Sequence, residues 1–489
     1  MTFTEPAFLW LLLATYGLWL LVRRREPAAV GLLLTASLVF YGHKHWGLLP
    51  LLLGCCVADW AVALWVARGR RPRTALAVGV TLNLLLLAYY KYTPLLVETA
   101  ARAAGLRLSP QALGTLEGWR VPFGISFYAF TGIAYMVDVY RRVTPAERSL
   151  VRYVLSAAFF PHLVAGPILR PNEFLAKLRP GQVPQRPEAP LEAFGLLARG
   201  LFKKLVLADR IALAIDPFFV HVNEPATAGV WALPYVYLYA WQIYFDFSAY
   251  TDIARGLGLL FGYRWPDNFH LPYLAESVAE FWRRWHVTLS RFLRDYLYVP
   301  LGGSRRGRWR TGVNLLATML LGGLWHGASW SFLLWGGLHG SFLVLHRAWC
   351  LCPLRDALAA VTGWRRGLWR GCCVLLTFHG VCLAWCFFRL TALGESLACV
   401  RKWVAFDGDK RLVGGAADPS LWLALAGYGL AVALAAASGR LEVWARLRSG
   451  PAGAALWHGF QWGCRVAVLL LAALLAPGGA APPFIYFQF

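Results

Sequence analysis

Residues 314–347 read NLLATMLLGGLWHGASWSFLLWGGLHGSFLVLHR. The stretch contains no carboxylate, and apart from Asn314, Thr318, three histidines and small hydroxyl residues it is apolar up to its final arginine. In a helix, about 20 apolar residues cross the ~30 Å hydrocarbon core of a bilayer. The stretch therefore predicts two neighbouring membrane-spanning helices, near 311–328 and 330–347.

Apolar windows of similar length recur along the whole chain. The further predicted spans are 6–22, 28–42, 46–67, 74–97, 122–140, 193–221, 229–250, 371–390, 419–438 and 456–476. Residues 151–169 are also apolar, but Pro161, Gly166 and Pro167 interrupt them. That segment predicts a broken or re-entrant helix, whose freed backbone groups need protein or water partners at membrane depth. The sequence thus predicts an all-α, polytopic integral membrane protein with about 11–12 transmembrane helices.

The composition agrees with a membrane protein and excludes a large soluble domain. Hydrophobic residues make up 58% and charged residues 15%, whereas soluble domains carry about 25% charged residues. The 24 Trp, 20 Tyr and 29 Phe suit membrane–water interfaces, because their rings are apolar with a polar edge. No internal repeat or long linker is visible, so residues 1–489 are expected to form a single membrane domain.

The net charge of +23 does not indicate nucleic-acid binding, because the basic residues form short clusters between apolar stretches. Such clusters mark cytoplasmic loops. The rule puts the N-terminus outside, residues 283–310 in the cytoplasm and residues 391–418 outside. The first apolar run precedes its basic cluster and is expected to be a retained span. The ten cysteines include no pair of CxxC motifs, so no metal site is expected.

Residues 280–296 predict a helix lying in the membrane interface. On a single helical wheel their aromatic side chains share one face and their arginines the other. Two interpretations remain open: a simple interfacial anchor, or the cytoplasmic floor of an active-site tunnel whose arginines meet phosphate-bearing donors.

His326 is the strongest candidate for chemistry. A straight helix from Arg310 puts it about 24 Å along the axis, whereas a break near Gly327 puts it closer to the outer leaflet. Ionisable groups at such depth are costly and usually face a cavity. His326 is either a structural histidine hydrogen-bonded to a neighbouring helix or a general base, for which an imidazole is well suited.

The run GLWHGASW at residues 323–330 resembles the active-site signature of the membrane-bound O-acyltransferase superfamily. Further motifs of its bacterial alginate and polysaccharide O-acetyltransferase branch appear in order: VPFGISFYAF (121–130), VDVYRR (137–142), FFPHLVAGPILRPNEF (159–174), GLFKKLVLAD (200–209), YFDFSAYTDIARGLGLLFGY (244–263), NFHLPYLAESVAEFWRRWHVTLSRFLRDYLYVPLGG (268–303) and PFIYFQF (483–489). The resemblance covers nearly the whole chain and is densest at 241–347, the expected catalytic core region.

The resemblance implies an O-acyltransferase of the bacterial cytoplasmic (inner) membrane. The near-invariant catalytic histidine of the family matches His326, and its second histidine, in the WRRWH motif, matches His286. The implied donor is a cytosolic thioester, either acetyl-CoA or an acyl-carrier thioester, with no tightly bound cofactor. The implied acceptor is an extracytoplasmic polysaccharide, reached with the help of a separate hydrolase-like acetyltransferase outside the membrane. Which polymer is modified stays open.

The two histidines are expected to divide the work. His326 is expected to be the base, and His286 to orient the thioester on the cytoplasmic side, many ångströms away and connected only by a tunnel. For the oxyanion three donors remain open: His286, the indole N–H of Trp325, or backbone amides near Gly327.

The remaining polar candidates have weaker roles. His339 is expected to tie two helices together rather than to take part in catalysis. Asp246 and Asp252 are interpreted as helix-end or orienting groups, and Asp138 as a cytoplasmic boundary residue. The cluster His43-Lys44-His45 is expected to be solvated.

A polysaccharide exporter or other transporter is the alternative function. Many spans, broken helices and buried histidines would suit proton-coupled transport. The absence of an inverted repeat and of a chain of intramembrane carboxylates argues against it.

Overall fold

The computed structural model describes residues 1–406 except 120, 226, 228, 354, 356, 357 and 359–361, and the isolated residues 422, 425, 426, 462, 463, 466, 467, 484 and 485. Within this part the regular structure is entirely helical, so the all-α prediction is confirmed. The α-helices are α1 (Pro6–Val22), α2 (Glu26–Gly42), α3 (Leu49–Ala67), α4 (Pro72–Leu87), α5 (Thr93–Ala103), α6 (Pro110–Glu117), α7 (Ile125–Tyr140), α8 (Leu150–Ala158), α9 (Pro171–Leu175), α10 (Pro190–Phe202), α11 (Asp209–Val220), α12 (Ala232–Leu260), α13 (Val278–Arg284), α14 (Val287–Leu293), α15 (Gly307–His326), α16 (Trp330–Trp349), α17 (Gly363–Arg389) and α18 (Leu393–Ala405).

Three helices in the described part have the length and apolar character needed to cross a bilayer: Trp46–Ala67, Pro72–Ala103 and Gly363–Arg389. Three shorter apolar helices accompany them: Pro6–Val22, Glu26–Gly42 and Ile125–Tyr140. Every predicted span up to residue 390 falls on a helix or on a continuous series of helical elements; 74–97 and 193–221 each include a π-helical turn, Ala88–Tyr92 and Lys203–Ala208. The predicted spans 419–438 and 456–476 fall mostly outside the described residues.

The predicted broken segment is also confirmed. The helix α8 ends at Ala158, and residues 159–170 follow without helical structure although nearly all of them are buried. The membrane orientation expected from the basic clusters stays a prediction, and part of the 391–418 loop lies outside the described residues.

Two compact units make up the chain. The first comprises residues 1–186 and 261–393, with α1–α9 and α13–α17, and the second comprises 187–260 and 394–488, with α10–α12 and most of α18. The predicted core region 241–347 contributes to both. The expected single membrane domain stays a prediction.

The prediction of one in-plane helix over residues 280–296 is wrong. The helix α13 ends at Arg284, Trp285 is extended, and His286 adopts a left-handed backbone with φ 43° before α14 begins. The break occurs because the amide of Val287 donates to the backbone carbonyl of Asn268 at 3.1 Å instead of continuing the helical pattern. A single helical wheel therefore does not describe the faces of this segment.

A π-helical turn, Arg294–Tyr298, follows α14. The carboxylate of Asp295 anchors this turn. Asp295 accepts hydrogen bonds from Arg170 and from Arg294. Burial alone would raise the pKa of Asp295, but the hydrogen bond from Arg294 and the charge of Arg170 hold that pKa below its usual value. The next residue, Tyr296, donates to Asp138 at 2.9 Å and joins this turn to α7.

In the second unit, α12 carries Asp246 and Asp252 within its length rather than at an end. Asp252 accepts from Arg199 and Lys203 at 2.6–2.8 Å. Asp246 accepts from Lys204 at 2.9 Å and from the amide of Ile485 at 2.7 Å. The helix-end interpretation is therefore wrong: these carboxylates hold α12 to the α10 region. Removing one member of such a buried pair costs about 3–5 kcal/mol.

The helices α15 and α16 form a closely packed hairpin. A Cβ atom on Gly336 would lie 2.2 Å from the carbonyl oxygen of Met319, and one on Gly323 would lie 2.2 Å from that of Phe332. Glycines at these positions allow the two backbones to approach each other as small residues do in membrane helix pairs.

We expect Gly336→Ala to destabilise the protein by about 1–3 kcal/mol, because the added methyl group overpacks the hairpin. Gly337→Ala is the matched control, since its Cβ would lie at an ordinary 3.5 Å from the Leu320 side chain. Both changes gain the same helix propensity, so their difference isolates the packing. Tryptophan fluorescence during heating in detergent measures the effect, and an equal midpoint for the two variants would contradict the packing account.

Candidate active site

His326 is the last residue of α15, and its imidazole is enclosed by aromatic rings. The ring centroids of Trp325, Trp335 and Phe388 lie 4.8, 4.9 and 5.1 Å from that of His326. These rings come from α15, α16 and α17. His326 is only 7% exposed. The imidazole of His326 is therefore buried in aromatic surroundings contributed by three helices.

The motif GLWHGASW ends one helix and starts the next. Gly327 is extended, and a Cβ atom there would lie 2.1 Å from the ring of Phe332. Ser329 then caps α16 by accepting a hydrogen bond from the amide of Phe332 at 3.3 Å. The local sequence thus fixes His326 at a helix end, facing the start of α16.

Lys91 and Tyr92 hold the last turn of α15, and the sequence analysis missed both. Lys91 lies in the π-helical turn Ala88–Tyr92 between α4 and α5. Its ammonium group donates to the backbone carbonyls of Trp325 and His326, the latter at 3.3 Å. Tyr92 donates to the carbonyl of Leu324 at 2.8 Å. The last carbonyls of a helix lack intrahelical partners, and a cation there also complements the helix dipole.

Ser126, near the start of α7, accepts a third hydrogen bond from Lys91 at 3.2 Å. Lys91 is only 6% exposed, and its ammonium group donates to three oxygen atoms in all. A signal for this residue was present, because Lys91 is the sole charged residue in the predicted span 74–97. Ionisable residues inside a span are functional candidates by default.

His286 is fully buried between α13 and α14 and is fixed by Asn268. The side-chain oxygen of Asn268 accepts hydrogen bonds from the amide and the hydroxyl of Thr288 at 3.1 and 3.0 Å. The Nδ1 atom of His286 lies 3.1 Å from the same oxygen. A backbone amide can only donate, so this atom must be the oxygen and Nδ1 must carry a proton. In the neutral ring Nε2 is then the acceptor nitrogen.

The two histidines lie against the same indole, which contradicts the expected wide separation. The ring of Trp325 is 6.4 Å from that of His286 and 4.8 Å from that of His326. This arises because α14 packs directly on the end of α15, where Leu289, Phe292 and Leu293 form a core with Trp325. Phe130 of α7 also stacks on the indole, with the two ring centroids 5.6 Å apart.

His339 ties two helices together, as expected. Its Nδ1 accepts a hydrogen bond from the indole of Trp282 at 3.3 Å, which joins α13 to α16. Lys44, in the expected solvated cluster, is exposed and pairs with Glu5 at 2.6 Å. In the described part of the chain, no group of three or more His, Cys, Asp or Glu side chains is arranged to hold a metal ion.

The model of the membrane-bound O-acyltransferase family matches residues 143–389, which include His286, His326 and the whole α15–α16 hairpin. This chain belongs to the membrane-bound O-acyltransferase family. It is therefore a polytopic membrane enzyme that transfers acyl groups to oxygen, and the transporter alternative is set aside.

Several named members of the family are similar to this chain in sequence. A probable alginate O-acetylase of Azotobacter vinelandii is 40% identical over 71% of this chain and 69% of the relative. A peptidoglycan O-acetyltransferase of Helicobacter pylori is 34% identical over 77% of this chain and 74% of the relative. A teichoic acid D-alanyltransferase of Bacillus subtilis is 25% identical over 54% of this chain and 68% of the relative. The membrane-bound O-acyltransferases most similar to this chain thus include several named for polymer modification.

Proposed function

We propose that this chain is an acetyltransferase of the bacterial cytoplasmic membrane. It takes an acetyl group from a cytosolic thioester, acetyl-CoA or a carrier-bound acyl group, and passes it towards the hydroxyl groups of an extracytoplasmic polysaccharide. The names of the relatives support the acetyl group and the polymer. The observation that carries the proposal is the buried imidazole of His326, enclosed by three aromatic rings at the end of a helix.

In the proposed reaction His326 is the general base. Its acceptor nitrogen takes the proton of the attacking hydroxyl while that oxygen bonds to the thioester carbonyl carbon. The tetrahedral intermediate then collapses, the carbon–sulfur bond breaks, and the leaving sulfur takes the proton back from the imidazolium. The products are an O-acetyl ester and a thiol. The aromatic rings around His326 limit the access of bulk water, which favours transfer to the hydroxyl over hydrolysis of the thioester.

Trp325 is the best candidate for stabilising the oxyanion. Its indole nitrogen is buried and has no hydrogen-bond partner among the described residues. The backbone amide of Gly327 is a poorer candidate for binding the oxyanion, because it donates to the carbonyl of Gly323 at 3.3 Å. Neutral His286 offers an acceptor at Nε2, so it is unsuited to an oxyanion in that form. An N–H donor aimed at the developing charge contributes about 3–4 kcal/mol in comparable sites.

His286 is proposed to orient the thioester donor rather than to act as a second base. In the neutral ring Nε2 is an acceptor, which suits the amide N–H groups of a pantetheine arm. Since both histidines contact Trp325, this role requires no long tunnel between them.

We expect His286→Gln to keep partial activity, because glutamine retains hydrogen-bonding atoms but cannot titrate. The Michaelis constant for the thioester should rise, while the maximal rate falls by less than about tenfold. Acetyl transfer by purified protein over a range of donor concentrations measures both quantities.

His270→Gln is the control for this experiment, because His270 lies two residues after Asn268 in the sequence but its side chain is exposed. If His286→Gln were as inactive as a His326 variant while donor binding stayed intact, His286 would be a catalytic partner and the proposed division would be wrong.

We propose that a second protein carries the acetyl group to the polysaccharide. The family resemblance implies an extracytoplasmic hydrolase-like acetyltransferase, which would receive the acetyl group and hand it to the polymer. Co-purification of such a protein with the solubilised chain is the direct check.

Deleting the chain from its native bacterium tests the function as a whole. We expect alkali-released acetate to disappear from one extracytoplasmic polysaccharide, while its sugar composition and amount stay unchanged. Unchanged acetate content in every surface polymer would contradict the proposal. Loss of the polymer itself, with its remaining ester density unchanged, would instead support an export role.

A further inference from the structure

A cleft of about 1060 Å³ lies in the first unit at the ends of α3 and α7 and the start of α4. Leu64, Val66 and Val139 form part of its apolar wall, and Arg68, Arg142 and Arg148 line it as well. The cleft is separate from the active site. Ser126 of α7 contacts Lys91, whereas Tyr140, at the opposite end of α7, lines the cleft, about 20 Å further along the helix.

Positive charge in the cleft is not compensated. None of its lining residues is a carboxylate. Within the described part of the chain, the guanidinium groups of Arg68, Arg142 and Arg148 have neither an ion pair nor a side-chain hydrogen bond. Other arginines of this unit are paired, for example Arg284 with Glu280 and Arg370 with Glu276. Three such cations around a concave surface concentrate anions there.

Two of these arginines, Arg142 and Arg148, lie in the loop after α7, whereas Arg68 caps the end of α3. Arg142 adopts a left-handed conformation with φ 60°, which is uncommon for a residue with a side chain. The amide of Val143 then donates back to the carbonyl of Asp138 at 2.9 Å and closes the turn. Glu147, the carboxylate of this loop, does not line the cleft, because it accepts from the amide of Ser149 at 2.9 Å and lies 3.8 Å from Arg152.

We infer that this cleft binds a phosphate ester attached to an apolar group. The planar guanidinium fork matches phosphate oxygens, and basic pockets at the ends of membrane helices bind anionic head groups. The apolar wall fits the rest of an amphiphilic ligand. Two sources share this chemistry: an anionic phospholipid of the membrane, or the phosphates of the thioester donor. The second source rests on the proposed function.

Binding by the purified full chain tests the inference, with the double variant Arg142→Gln, Arg148→Gln. Native mass spectrometry with phosphatidylglycerol, against phosphatidylcholine, tests the lipid source. Calorimetric titration with coenzyme A tests the donor source. We expect one of the two ligands to bind the wild type, and the double variant to bind it roughly tenfold more weakly.

The control is Arg365→Gln with Arg366→Gln, two exposed arginines outside the cleft, which should leave binding unchanged. Loss of phosphatidylglycerol binding alone assigns the site to lipid, and loss of coenzyme A binding alone assigns it to the donor. If neither ligand binds the wild type, or if the double variant binds as the wild type does, the inference is wrong. Since no arm measures acetyl transfer, the result stands whether or not the proposed function fails.

Discussion

His326→Ala is expected to reduce O-acetyl ester on the polymer by about 10²–10⁴-fold, with the protein still present in the membrane at the wild-type level. The reason is that the rings packed on the imidazole, those of Trp335 and Phe388, carry no group that could take the hydroxyl proton in its place. Mass spectrometry of the isolated polysaccharide measures the ester, and immunoblotting of the membrane fraction measures the protein.

His326→Gln should be as inactive, because the amide preserves size and hydrogen bonding but cannot accept a proton at neutral pH. His346→Gln, on the other helix of the hairpin and near Cys350, is the control and should retain activity. Ester content within a few-fold of the wild type in both His326 variants would exclude this histidine as the base.

Lys91→Met is expected to lower the maximal rate by about 10–100-fold, while the Michaelis constant for the thioester changes little. Methionine keeps the apolar stem but leaves the carbonyls of Trp325 and His326 without their donor. The last turn of α15 then loses its cap, and displacements of about 1 Å at a catalytic group cost on the order of 100-fold in rate. Acetyl transfer at varied donor concentration separates the two parameters.

Thr93→Val is the matched control for Lys91, since the Thr93 hydroxyl donates to the preceding π-helical turn, to the carbonyls of Tyr89 at 2.6 Å and Ala88 at 3.4 Å, and not to α15. Lys91→Arg should recover part of the rate because arginine keeps a buried donor. A Lys91→Met protein with the wild-type maximal rate would show that the cap does not position His326.

The helices of the site were predictable because their signals are local. The apolar windows of α15 and α16, separated by Gly327 and Ser329, follow directly from the spacing of apolar residues and of helix-ending ones. The position of His326 along its helix also follows, since α15 is an unbroken helix up to that residue. The family motifs around His326 and His286 identified the chemistry for the same reason.

The contacts that bring these elements together could not be predicted, because they join residues far apart in the sequence. Lys91 precedes Trp325 by 234 positions. The break at His286 depends on Asn268, whose backbone and side chain replace the helical partners of Val287 and Thr288. A helical wheel assumes that each amide bonds within its own helix, so it could not predict the break at His286.

The most direct test of acetyl transfer through His326 uses purified protein in lipid, a radiolabelled acetyl thioester and an oligosaccharide acceptor. The extracytoplasmic partner is added if one co-purifies. Label lost from the thioester and label gained as O-acetyl ester are counted together. We expect the wild type to form one ester for each thioester consumed, and His326→Gln to do neither above the uncatalysed rate. Ester formation by His326→Gln at the wild-type rate would contradict the account, as would thioester consumption by the wild type without any ester.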